Sequence, residues 1–259
     1  MPKLAANLSF QFTEVDFLDR FAAAAKAGFK GAEYLFPYDY DKNVLKQKLS
    51  DNKLTQVLHN LPAGNWAGGE RGIGCHSDRV AEFEDGVDQA IDYATALGCK
   101  QVNCLAGVAP QGVATEKLRE TLVSNLTFAA GKLKQAGIRL LIEAINTRDI
   151  PGFFLTNTAQ ALDIIKAVGS DNVFVQYDIY HMQIMEGDLA PTIERNLKLI
   201  RHMQLADTPG RHEPGTGEIN YGFLLPFIDR IGYTGWMGCE YKPAGKTGDG
   251  LGWAKGYLR

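Results

Sequence analysis

The feature that most constrains this chain's fold is a punctuation mark repeated along it. Helical hydrophobic patterns end in a small or apolar residue followed by glycine, then pass at once into a run that reads as a strand. This occurs at Ala27-Gly28, Leu97-Gly98, Ala136-Gly137, Val168-Gly169 and Ile231-Gly232. Glycine just past a helix end takes the left-handed conformation at little cost, so each pair marks a helix stop. Asn52 is expected to do the same after a helix over residues 41–50.

Strands are expected at residues 4–9, 32–36, 55–60, 101–106, 139–146, 173–177, 202–206 and 236–240. Helices are expected at residues 16–27, 41–50, 78–97, 115–135, 158–168, 191–199 and 222–230. In the third helix Val80, Phe83, Val87, Ile91 and Ala94 fall on one face. The fifth strand, RLLIEAIN, is a continuous apolar run, which suits a parallel sheet covered on both faces. Eight such units in a chain of 259 residues predict an α/β protein of the (β/α)8 TIM-barrel type, with 1–259 as one domain. A doubly wound open sheet is the competitor. It usually needs fewer strands, and no GxGxxG follows the first strand, where Asn7-Leu8-Ser9 stands.

A net charge of -3 argues against a nucleic-acid partner, which calls for a basic patch or stripe. No apolar run approaches the roughly 20 residues of a membrane span, and MPKLAANLSF has no apolar leader region. Cys75, Cys99, Cys104 and Cys239 show no zinc-like spacing and are expected to be reduced, buried thiols. A cytoplasmic location is the expectation.

In a barrel of this kind catalytic groups lie at the C-terminal ends of the strands. Those ends carry Asn7, His59, Asn60, Asn103, Glu143, Asp178, Gln204 and Glu240. The sharpest signal is Glu143, Asp178, Gln204 and Glu240, which occupy four consecutive strands. Neighbouring strands lie about 4.8 Å apart, so these groups converge on one mouth. Three carboxylates crowded there repel one another without a cation. Oxygen ligands suit a hard divalent ion, Mg²⁺ first and Mn²⁺ second. The bland alternative is four unrelated polar strand ends, each satisfied by its own loop. His181, three residues past Asp178, is expected near the same mouth, and His59 is a candidate substrate contact. His202, read as starting its strand, is expected at the opposite end as a structural residue. The Gly-rich loop after the seventh strand offers Arg211 as a carboxylate clamp, with Lys242 as a second cation. Trp66, Glu70 and Arg71 in the loop after the third strand form a candidate lid.

Seven stretches carry a resemblance that runs essentially end to end: AANLSF, EYLFPYDYD, LHNLPAGNWAGGERGI, INTRDIPGFFLT, QYDIYHMQIMEG, GRHEPGTGEINY and GCEYKP. The chain resembles the hydroxypyruvate isomerase family, within the superfamily of xylose isomerase-like barrels. The resemblance implies isomerisation of hydroxypyruvate to 2-hydroxy-3-oxopropanoate, with Glu143 and Glu240 as proton donor and acceptor. It also implies a metal site at Glu143, Asp178, Gln204 and Glu240. Many superfamily members carry His where Gln204 stands, and a neutral amide oxygen is a weaker ligand. Asn7, His59, Glu70, His181, Arg211 and Lys242 are the expected substrate contacts. No nucleotide cofactor is expected, and a homo-oligomer is left open.

The chemistry agrees with the residues. A base removes a proton from the CH₂OH beside the ketone, and the enediol is reprotonated at the neighbouring carbon. A 2-oxo-tetronate isomerase and a ketose epimerase use the same carboxylate pair and are the alternatives. A carbohydrate-acid binding barrel is the non-enzyme alternative. A metal-dependent DNA endonuclease, built on a His-rich cluster and a basic face, does not match five His and the acidic balance.

Overall fold

A computed structural model describes residues 2–258 of the chain. Its centre is eight parallel strands: β1 (Lys3–Asn7), β2 (Gly31–Glu33), β3 (Thr55–Leu58), β4 (Gln101–Cys104), β5 (Arg139–Glu143), β6 (Val173–Asp178), β7 (Ile200–Leu205) and β8 (Trp236–Cys239). β1 lies between β2 and β8, and the ladder runs on to β3 on one side and β4 on the other. The β3–β4 seam is closed just beyond the ladder. Asn103 N–H donates to the His59 carbonyl at 3.0 Å, and Leu61 N–H to the Asn103 carbonyl at 2.8 Å. The result is a (β/α)8 barrel, and the open sheet is excluded. The expected span 1–259 reaches Met1 and Arg259, which lie outside the described residues.

Around the strands run α1 (Phe17–Lys26), α2 (Lys42–Asp51), α3 (Val80–Leu97), α4 (Thr115–Gln135), α5 (Thr158–Val168), α6 (Ile179–Met185), α7 (Leu189–Asn196) and α8 (Tyr221–Arg230), with a 3₁₀ stretch at Thr247–Ala254. The glycines that stop five of the helices all adopt positive φ, between 66° and 100°. After α2 the expectation fails by one residue. Asn52 stays at φ -98° and its amide donates to the Lys48 carbonyl at 2.8 Å, so Lys53 takes the left-handed turn at φ 54°. A non-glycine residue there costs about 1–2 kcal/mol.

α6 was not expected, because IYHMQIM has no polar stripe for a 3.6-residue period to reveal. Its start is set by Asp178, whose Oδ1 accepts from Tyr180 N–H at 2.8 Å and His181 N–H at 3.4 Å. The last residue of a strand thus caps the helix that follows it and orients His181.

Side-chain alternation divides the barrel interior into two layers. Ala5, Val57, Leu58 and Leu141 form a separate apolar cluster, with Phe174 and Trp236 packed against it. Two residues further along the same strands the chain turns polar: Ala5 gives way to Asn7, Leu141 to Glu143, and Phe174 to Gln176. An apolar plug therefore carries a polar floor. His202 belongs to that floor, contrary to expectation. β7 begins at Ile200, so His202 is its third residue, sits opposite Gln176, and is buried with Nε2 2.7 Å from Glu33.

Candidate active site

A cavity of about 480 Å³ opens above the polar floor, lined by Asn7, Glu143, His181, Gln204, Arg211, Glu240 and Lys242 among others. Its floor is a chain of amides linking carboxylates. Asn103 Nδ2 and Gln176 Nε2 donate to Glu143 Oε2 at 3.1 and 2.9 Å. Gln176 Nε2 also donates to Gln204 Oε1 at 2.6 Å. Gln204 Nε2 then donates to Glu240 Oε2 at 2.6 Å and to Glu33 Oε1 at 2.8 Å. Asn7 Nδ2 reaches the same two oxygens at 2.9 and 3.0 Å. Burying these groups is tolerable because most of their polar atoms have a partner.

Arg211 comes in from the loop after β7. It donates to Glu240 Oε1 at 2.6 Å and to Asp149 Oδ2 at 3.1 Å, with its guanidinium over the rings of Phe10 and Tyr180. Asp207 shapes that loop by accepting backbone N–H bonds from Thr208, Gly215, Gly217 and Ile219. Burial alone would lower the Arg211 pKa, but Glu240, Asp178 and Asp149 hold it above its ordinary value.

Burial raises Glu143 well above the usual carboxylate range, and the charges of Glu240 and Asp178 add to the effect. Glu240 is pushed up to about 8 by burial, against the opposing pull of Arg211. Burial likewise lifts Asp178 to about 6. His181 is driven well below its usual value by burial and by Arg211, so its imidazole is neutral. Its Nδ1 faces the Asn146 backbone N–H at 3.4 Å and the Asn146 amide at 2.6 Å. The backbone donor makes Nδ1 the acceptor, which puts the ring proton on Nε2. That nitrogen lies 3.6 Å from Asp178 Oδ2 and 4.0 Å from Glu143 Oε1.

Among the described residues Glu143, Asp178 and His181 offer ligand atoms within 4.8 Å of one another, a set able to hold a metal ion. Asp178 Oδ2 is buried and has no hydrogen-bond partner among the described residues, which suits an oxygen that ligates a cation. The ligand set expected from sequence is divided by this arrangement. Glu143 and Asp178 share the cluster, whereas the Gln204 oxygen is taken by Gln176 and the Glu240 carboxylate by Asn7, Gln204 and Arg211.

Two expected substrate contacts lie elsewhere. His59 is fully buried but outside the cavity lining, packed edge-on against Tyr38 near the α3 backbone, and burial lowers it to about 4. The β3 ladder ends at Leu58, and beyond it the alternation that would aim residue 59 inward no longer applies. Glu70 also misses the cavity; it caps Asn65 N–H and pairs with Arg79, holding its own loop in shape. From that loop Trp66 and Arg71 reach the cavity instead, with the guanidinium 4.4 Å from the indole centre.

Sequence reasoning missed Glu33, Gln176 and Asp149. Glu33 ends a three-residue strand whose register slips at Ala32/Glu33, so its place at a strand end was hidden. Gln176 lies inside a strand rather than at its end, and only the inward parity shared with Asp178 would have flagged it.

A family profile described as xylose isomerase-like TIM barrel matches residues 21–257. The chain is 55% identical to hydroxypyruvate isomerase of Escherichia coli (strain K12), over 99% of this chain and 100% of that protein. It is 46% identical to 2-oxo-tetronate isomerase of Cupriavidus necator, over 100% and 99% of the two chains. A crystal structure from Brucella melitensis, described as an AP endonuclease of family 2, superposes with a TM-score of 0.98 at 47% identity, covering 100% of both chains.

Proposed function

The chain belongs to the xylose isomerase-like TIM barrel family, within its hydroxypyruvate isomerase group, and on that premise we propose that it interconverts hydroxypyruvate and 2-hydroxy-3-oxopropanoate by two-carboxylate proton transfer. The observation that carries the reading is the pair Glu143 and Glu240, both on the cavity and both with raised pKa values. Two carboxyl groups tuned upward can hold one proton between them, so one is base while the other is acid.

One glutamate takes a proton from C3 of hydroxypyruvate as the carboxylate. The electron pair moves into the C2–C3 bond, giving an enediol with negative charge on the C2 oxygen. The C3 hydroxyl proton passes to the C2 oxygen, the other glutamate, as the acid, returns a proton at C2, and the C3 oxygen becomes the aldehyde. In the reverse direction the roles exchange. His181, with its proton on Nε2, is placed to donate to a substrate oxygen as that charge develops. Mg²⁺, with Mn²⁺ as the second choice, is the proposed metal, which the Glu143 and Asp178 carboxylates beside His181 would hold. When bound, such an ion supplies positive charge to the enediolate and keeps Glu143 ionised.

The substrate carboxylate needs a cation. Arg211 already serves Glu240 and Asp149, which leaves Arg71 and Lys242 to bind it. Arg71 donates to the Trp66 and Glu70 carbonyls and pairs with no carboxylate among the described residues. A cavity of about 480 Å³ is roomy for a three-carbon acid, which favours 2-oxo-tetronate as the second reading.

Turnover of hydroxypyruvate, 2-oxo-tetronate and neutral ketoses, measured after chelation and with Mg²⁺ or Mn²⁺ restored, tests the assignment. Abasic-site DNA belongs in the same panel as a nuclease control. Hydroxypyruvate is expected to give the highest kcat/KM; no conversion of it under any metal condition would overturn the proposal.

A further inference from the structure

Glu33 is the one carboxylate of the floor with no place in the reaction above. Its buried Oε1 accepts from Asn7 Nδ2 at 3.0 Å and Gln204 Nε2 at 2.8 Å, while its Oε2 lies 2.7 Å from His202 Nε2. The same two amides donate to Glu240 Oε2, at 2.9 and 2.6 Å. Each NH₂ group has two hydrogens, and here one goes to each glutamate. Two amides and two carboxylate oxygens thus close a four-membered ring of hydrogen bonds beneath Glu240.

An amide can present either its oxygen or its NH₂ group. Asn7 Oδ1 accepts from Ser9 N–H at 3.1 Å and Gln204 Oε1 from Gln176 Nε2 at 2.6 Å, so both NH₂ groups face inward, and Glu33 Oε1 is the acceptor that takes one hydrogen of each. The barrel makes room for it with a glycine: a Cβ on Gly238 would lie 2.1 Å from a Glu33 carboxylate oxygen. We propose that Glu33 is a positioning residue, which anchors one hydrogen of the Asn7 and Gln204 NH₂ groups so that the other hydrogen of each is aimed at Glu240 Oε2. Oε1 of Glu240, the oxygen beside Arg211, is then left to exchange protons with the substrate.

This assignment rests on the proposed isomerase reading, because it concerns the aim of Glu240. Glu33→Met removes the acceptor at similar volume, whereas Glu33→Gln keeps an oxygen for the two amides. A misaimed reacting group is expected to cost about 100-fold in rate, so Glu33→Met should lower kcat by about that factor with KM within about threefold. Glu33→Gln should recover most of the loss. A role in packing alone would lower the melting temperature of both variants and leave kcat unchanged, which would overturn the proposal. If Glu33→Met does not fold, Gly238→Ala takes its place, since it drives the unaltered carboxylate off the amides and should show the same loss of kcat.

The side-chain NH₂ signals of Asn7 and Gln204 give a readout that needs no turnover. In the unaltered protein they should be resolved and slow to exchange with solvent, and in Glu33→Met both should shift and exchange faster. Unchanged signals would refute the orienting role whatever the substrate. Altered signals in a chain that does not turn over hydroxypyruvate would keep the orienting role and discard the isomerase reading.

Discussion

Arg211→Met separates the electrostatic reading of the site from a merely steric one. The guanidinium is largely buried, with 15% of its side chain exposed, and donates to Glu240 Oε1 at 2.6 Å. Charge centres roughly 4 Å apart at an effective dielectric near 20 interact by about 4 kcal/mol, an upper bound of about three pKa units. Measured effects of one neighbouring charge run about 1–3 units. The Glu240 titration should therefore move up from about 8 by about 1–3 units. The limb of the kcat/KM profile near pH 8 is the observable, followed from pH 6 to 10. Stability should respond with a matching sign. At pH 6 Glu240 is already protonated and loses little with the cation. At pH 9 the unaltered protein holds Glu240 ionised beside its cation, whereas the variant still holds it protonated, which adds up to about 1.4 kcal/mol to the penalty. Thermal melts at the two pH values should show a penalty that grows with pH. A limb that stays in place, or moves down, would refute the electrostatic assignment.

Four further outcomes follow from the same geometry. Glu240→Gln and Glu143→Gln should each lower kcat by about 10²–10⁴-fold while hydroxypyruvate still binds, as read by calorimetry beside steady-state rates. Asp178→Asn removes a buried ligand oxygen and should weaken Mg²⁺ binding by about 10-fold or more in a direct titration of the ion. Leu141→Ala opens a cavity in the apolar plug and should cost about 2–5 kcal/mol in denaturant melts, with the amide chain above it intact. Glu240, whose folded pKa is raised to about 8, contributes stability that is complete below its unfolded pKa and lost as pH rises towards 8. Between those limits the slope is about 1.4 kcal/mol per pH unit, and Glu240→Gln should flatten it.

The barrel was legible because its punctuation is local: a glycine past a helix end depends on a few neighbouring residues. Glu143, Asp178, Gln204 and Glu240 were legible for a related reason, since a polar residue closing an apolar strand is costly and stands out. What stayed hidden depends on parity and partnership. His59 looked equivalent to Asn7, yet its strand had already ended and the ring turned towards α3. His202 was placed at the wrong end because its strand starts two residues earlier than the apolar run suggested. Gln204 was expected as a ligand by its position, and its hydrogen-bond partners, Gln176 at the oxygen and Glu33 at the nitrogen, come from other strands and cannot be read from its own. Glu33 itself ends its strand, which was expected to run on over 32–36, so it read as an interior position.

The central claim is that two different glutamates move the proton through an enediol. Hydroxypyruvate turned over in D₂O tests it most directly, with hydrogen at C2 of the product and C3 of the recovered substrate read by NMR. Two glutamates in exchange with solvent predict deuterium at C2 of the product, together with deuterium washed into C3 of the substrate left behind. Product that keeps the original hydrogen at C2, with no solvent deuterium, would mean that one shielded group carries the hydrogen or that it passes directly between the carbons, and would contradict the separate roles given to Glu143 and Glu240.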